Sequence, residues 1–237
     1  MIVDKERKVI YLHNPKCGGT FLRSLYLEKY GETDATKWWS NYTLKHGTDL
    51  GHISYDDLAW FIPEWEDYQL YVMVRNPYNR FYSAVKEFQE QYRTIFFVAR
   101  YLLHGEYGEC SKCEKFIYQL KKISSYRYPF LVQELSKKPV QEFVEKIYSY
   151  DRLKQNYFLR NKRIPWLNPQ SDFLGKKITV LRYESVSDWE NLLNTFGLSE
   201  YQNRIKIARD YDIQESVCKM IRGLYPEDDL LFNLYSK

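Results

Sequence analysis

Three short stretches of the 237-residue chain hold residue types spaced for chemistry on anions. The first is Asn14 to Phe21, NPKCGGTF, in which Lys16 and Cys17 precede Gly18, Gly19 and Thr20. A lysine and two glycines at the start of a helix offer an ammonium and a set of unpaired N–H groups to one negative group. The second is Val74 to Val85, VRNPYNRFYSAV, where Arg75 brings a planar guanidinium fork and Ser83 a hydroxyl. The third is His52 in LGHISY, whose imidazole titrates near neutral pH and suits proton removal from an alcohol.

Each stretch needs a strand or a helix to hold it. KVIYL (Lys8 to Leu12) reads as a strand, and a helix follows from about Thr20 to Tyr30, stopped by Gly31. A second helix starts at SYDDLAWF, where Ser54 and Asp57 match a capping box. YQLYVMV (Tyr68 to Val74) is apolar almost throughout, as a parallel strand covered on both faces is, and it ends in the Arg75 turn that feeds a long helix. From about Ile95 to Tyr150 the pattern is helical, with Pro139 placed for a first turn. KKITVLRYE is a further strand before the helix SDWENLLNTFGL, with Ser187 and Glu190 as its box and Gly197 as its stop. Alternating strands and helices with short turns predict a parallel sheet flanked by helices in a single domain spanning 1–237.

Composition narrows the function classes. With 44% apolar residues the chain is globular, and 35 basic against 31 acidic residues give too mild a balance for wholesale nucleic-acid binding. The 23 tyrosines follow no RNA-binding motif and read as packing. Charges in MIVDKERKVI and Arg100 within TIFFVARYLL leave no signal peptide or membrane segment, so a soluble, cytoplasmic protein is expected. The four cysteines form no dense framework and are expected reduced. Cys110 and Cys113 with His104 would still lack a fourth ligand for zinc, so no metal site is expected.

A Walker loop places its lysine after the second glycine, whereas here Lys16 comes before both. No G-x-G-x-x-G occurs either. NPKCGGTFLRSL instead resembles the 5′-phosphosulfate loop of sulfotransferases that use 3′-phosphoadenosine 5′-phosphosulfate (PAPS), and VRNPYNRFYSAV resembles their 3′-phosphate motif. GHISYDDL, NPQSDFL, VLRYESV and LYPEDDLLFNLY are similar to segments of the carbohydrate-type branch, so the likeness runs from Val9 to about Leu234. The Golgi members of that branch carry a membrane anchor and lumenal disulfides. Neither is read here, which fits the small bacterial-type enzymes better.

The resemblance implies a P-loop-like three-layer α/β fold, with PAPS as donor and 3′-phosphoadenosine 5′-phosphate as product. It implies that Lys16 contacts the oxygen bridging phosphate and sulfate while Cys17, Gly18, Gly19, Thr20 and Phe21 wrap the group, and that Arg75 and Ser83 hold the 3′-phosphate. His52 stands where the branch has its histidine base, although packing beside Trp60 or capping a turn would also account for it. Gln170 and Ser171 lie in a segment that approaches donor and acceptor in the family. Arg182 and Glu184 end a core strand, either as ligand rim or as an ion pair. His13 is expected buried in its turn, Arg23 either at the donor or on an open helix face, and His46 and His104 exposed.

The acceptor is left to the variable segment 87–167, as a carbohydrate or a small molecule. The basic run with Arg152, Lys154, Arg160, Lys162 and Arg163 reads as a solvated face or as an entrance for an anionic acceptor. Two other classes stay open: a P-loop kinase using ATP and magnesium, and a nucleotide-binding module without catalysis.

Overall fold

A computed structural model describes residues 1–40, 50–92, 127–161 and 164–235. Among them one four-stranded sheet runs in the order β1 (Ile2–Asp4), β2 (Val9–Leu12), β3 (Gln69–Val74), β4 (Ile178–Arg182). β2 pairs in parallel with β3, Val9 opposite Gln69, and β3 pairs in parallel with β4, Val74 opposite Arg182. β1 is antiparallel to β2. The sheet is therefore mixed rather than all parallel, and the departure comes from a hairpin at the edge. Asp4 makes that hairpin: its carboxylate accepts from the Arg7 N–H at 2.9 Å, the Arg7 guanidinium at 2.8 Å and the Tyr26 hydroxyl at 3.1 Å.

Period-two alternation covers both faces. Val9, Tyr11, Met73 and Leu181 pack under α1 (Gly19–Tyr30) and, through Trp189 and Leu192, under a helix that follows β4. Ile10, Leu12, Leu70 and Val72 pack on the other face against Leu50, Ile53, Leu58 and Phe173. Two short helices, α2 (Lys37–Ser40) and α3 (Leu58–Phe61), flank the Leu50–His52 turn. Beyond β3, α4 (Pro77–Tyr92) carries Phe81, Val85 and Phe88 into a third core with α5 (Pro129–Ser136), α6 (Val140–Tyr148) and α7 (Arg152–Leu159). After β4 come α8 (Val186–Thr195), α9 (Glu215–Leu224) and α10 (Asp229–Tyr235), the last two joining that third core through Ile221 and Phe232. Each such buried side chain contributes about 1.5–3 kcal/mol.

The helix ends show where local signals hold. Gly31 has φ 70° and its N–H reaches the Leu27 carbonyl at 2.9 Å, and Gly197 has φ 66°, both the left-handed stop. Ser54 and Asp57 do bond each other, through Ser54 Oγ donating to Asp57 Oδ2 at 3.0 Å, but the turn leads only to the four-residue α3. The Ser187 and Glu190 box is displaced: Ser185 caps α8 and accepts from the Asp188 N–H at 3.2 Å. Pro139 likewise is the N-cap of α6, one position earlier than expected. The helical reading of 95–150 holds over α5 and α6; its first part, with His104, Cys110 and Cys113, lies outside the described residues, as do His46, Lys162 and Arg163.

Candidate functional site

β2 and β3 are parallel neighbours, so their C-terminal ends release the chain side by side. The loop after β2 holds Lys16, and the turn after β3 holds Arg75. Gln170, fully buried, joins the two ends. Its Oε1 accepts from Asn14 Nδ2 and from the Arg75 N–H, each at 3.0 Å, and its Nε2 donates to the Arg75 carbonyl at 2.8 Å. Its own N–H, and that of the half-buried Ser171, bond the Asp228 carboxylate at 3.1 and 2.9 Å. Gln170 thus sits beneath the site as a clamp, with its side chain spent on the two strand ends.

Lys16 has φ 65° and Gly18 φ 85°, left-handed on both sides of Cys17, which turns the loop's N–H groups toward one side. The Cys17 N–H is taken by the Asn14 carbonyl at 3.3 Å and the Phe21 N–H by the Gly18 carbonyl at 3.0 Å. The expectation that every N–H from Cys17 to Phe21 wraps an anion is corrected: Gly18, Gly19 and Thr20 keep theirs without an acceptor among the described residues. The glycines have a second reason. A Cβ on Gly19 would lie 1.9 Å from the His13 ring, and one on Gly18 would lie 2.5 Å from Trp189. Phe21 meets the same Trp189 edge-on at 5.5 Å, and burial pushes the Cys17 thiol up to about 12.

Arg75 is 5% exposed, with its guanidinium over the Tyr183 ring at 4.7 Å and Nη1 donating to the Lys16 carbonyl at 3.5 Å. Arg80, which sequence reasoning passed over, is 2% exposed and donates from Nε to the Pro15 carbonyl at 3.2 Å. Arg75 Nε and Arg80 Nη2 are buried without a hydrogen-bond partner among the described residues. Arg80 falls in the same R-N-P-x-x-R stretch, so its spacing from Arg75 was the available signal. Asn76 caps α4, its Oδ1 accepting from the Tyr78 and Asn79 N–H groups at 3.0 and 3.2 Å. Ser83 is half-buried on α4.

Lys16 Nζ meets Glu87 Oε2 of α4 at 3.0 Å. Burial raises the Glu87 carboxyl, but Lys16, Gln91 and the more distant His52 outweigh it and hold it below the usual carboxylate range. No sequence signal announces Glu87, which stands 71 positions from Lys16. His52 is nearly buried in the Leu50–His52 turn, with its ring 4.4 Å from that of His13. Burial, then the nearby His52, lowers His13 well below the ordinary imidazole value, so His13 is neutral at pH 7. Trp60, the other packing partner expected for His52, is 84% exposed.

Arg182 is exposed and pairs with Asp188 at 3.6 Å, and Glu184 accepts from the Asn76 N–H at 2.9 Å. Arg23 is half-buried, Arg152 is exposed and Lys154 pairs with Asp151 at 3.8 Å. Arg160 forms an ion pair with Glu227. A cavity of about 320 Å³ opens beside His52, walled by Asp56, Asp57, Arg160, Asn168 and Asp172. No helix among the described residues is long and apolar enough to cross a membrane. Comparison with protein-family models, with curated proteins and with solved structures returned no match.

Proposed function

We propose that this chain transfers a sulfuryl group from PAPS to a hydroxyl acceptor. The observation that carries the reading is the joining of two anion grips at adjacent strand ends, one of free N–H groups beside Lys16 and one of two buried arginines with unspent donors. An unpaired buried donor costs about 1–3 kcal/mol, which an oxyanion docking there would relieve. A donor with a phosphosulfate at one end and a 3′-phosphate at the other matches two grips so arranged. The same reading takes the layered sheet as P-loop-like and the protein as cytoplasmic.

On this reading the acceptor oxygen bonds to sulfur as the bond from sulfur to the bridging oxygen breaks. Lys16 stabilises the charge that collects on the departing phosphate, a role whose loss typically costs about 3–4 kcal/mol. His52 takes the acceptor proton. His13, held neutral against the His52 ring, keeps a second cation away from the imidazolium that forms. Arg182, paired with Asp188, is the weakest donor contact in the set.

Thermal unfolding with 3′-phosphoadenosine 5′-phosphate, with ADP, and with ATP plus magnesium tests the donor. At a hundred times its dissociation constant a ligand stabilises by about 2.7 kcal/mol, roughly 5–11 °C here. A shift with the bisphosphate that is lost in Arg75→Ala is expected. A shift confined to ATP and magnesium would overturn the reading in favour of a kinase, and bisphosphate binding without turnover on any acceptor would leave a binding module.

A further inference from the structure

The cavity beside His52 has walls that differ in kind from the two anion grips. Asp56, Asp57 and Asp172 all line it. Among the described residues the cation in the wall is Arg160, which pairs with Glu227, donates to the Leu224 carbonyl at 3.5 Å and lies over the Tyr225 ring at 5.8 Å. Asn168 is nine-tenths buried, and its Oδ1 has no hydrogen-bond partner among the described residues. No described residue donates to the Asp172 carboxylate, which burial first, and then Glu227 and Asp228 against Arg160 and Arg80, pushes up to about 6. Both residues line the one cavity.

We infer that this cavity is the acceptor site and takes a hydroxyl compound bearing a cationic amino group, an amino sugar or amino alcohol, rather than an anionic one. The inference rests on the sulfuryl-transfer reading for the word acceptor, while the charge preference rests on the cavity alone. An ammonium brings donors to Asp172 and Asn168 and is drawn by three carboxylates, whereas a uronic or sulfated sugar brings acceptors and like charge. His52 lines the same cavity, so with the amine at Asp172 a hydroxyl on the same molecule is left for His52. The basic run therefore does not set the acceptor's charge through Arg160.

Titration calorimetry with D-glucosamine, D-glucose and D-glucuronate at about pH 7, where both the Asp172 carboxyl and the sugar ammonium are mostly charged, tests this on the free chain and on the chain saturated with 3′-phosphoadenosine 5′-phosphate. Glucosamine is expected to bind about tenfold or more tighter than glucuronate, the effect of one charge-assisted hydrogen bond. Asp172→Asn should bring the two within about threefold. Asp56→Asn, at an exposed position where folding is not at stake, should narrow the gap in part. Glucuronate binding as tightly as glucosamine, or a preference untouched by Asp172→Asn, would overturn the inference. The bisphosphate arm reports on the donor separately: its failure refutes sulfuryl transfer, and the sugar arms still decide the cavity's charge preference.

Discussion

Lys16 and Glu87, 71 positions apart, form an ion pair at 3.0 Å that ties the loop after β2 to the middle of α4. The pair holds a lysine side chain that stays 29% exposed. On the proposed reading Lys16 then has two roles, one in holding the loop and one toward a bound anion.

Replacing Lys16 separates these roles. If the proposed sulfuryl transfer is the activity, Lys16→Ala should cut it by about 10²–10³. It also leaves the Glu87 carboxylate without its cation. In the wild type that carboxyl is held low, so its stabilising share is present above the unfolded value and is lost as pH falls through the folded one. In Lys16→Ala the loss should begin at higher pH, read as an acid-unfolding midpoint shifted upward. An unchanged midpoint would show that the pair contributes nothing to the fold.

The close approach of Gly19 to His13 predicts a coupled pair. Gly19→Ala places a methyl group 1.9 Å from the imidazole and should destabilise by about 1–3 kcal/mol, as overpacking does. His13→Ala opens the space, so the double variant should be more stable than the sum of the two single losses. Urea unfolding of the four proteins checks this through the interaction energy, and strict additivity would rule the contact out.

Asp172 should make stability depend on pH in the opposite sense to Glu87. Its folded value of about 6 lies above the unfolded one, so the contribution is full below the unfolded value and is lost as pH rises through about 6. Asp172→Asn should therefore raise the melting temperature at about pH 8, by up to about 3 kcal/mol in free energy, and match the wild type near pH 4. Equal melting curves at both pH values would show that the carboxyl is not strained.

Cys17 carries a buried thiol pushed up to about 12 by desolvation, even with Arg80 and Arg75 lowering it. Only the thiolate reacts, so iodoacetamide should leave Cys17 unmodified in the folded protein and label it once the chain is unfolded. Peptide mapping by mass spectrometry gives the answer. Rapid labelling of Cys17 in the native state would place the loop in the open.

Much of the frame was legible in the chain because it rests on local rules. The apolar runs Val9 to Leu12 and Leu70 to Val74 set out strands covered on both faces, and Gly31 and Gly197 stop helices because left-handed backbone is cheap only there. Lys16, Arg75 and His52 could be singled out because their side-chain chemistry is unusual at turn positions. Tertiary structure decided what these residues touch. The β1 hairpin depends on Asp4 meeting Tyr26 on α1, and Ser185 instead of Ser187 caps α8 because Asp188 is the residue whose N–H it reaches. The pairing of Lys16 with Glu87, the clamp made by Gln170, the burial of Arg80 and the acidic cavity beside His52 all bring together positions from 65 to 156 residues apart or, for the cavity, from separate walls. Such meetings are settled by how two cores pack on the sheet and a third forms among the helices beside it, and sequence spacing carries no record of them.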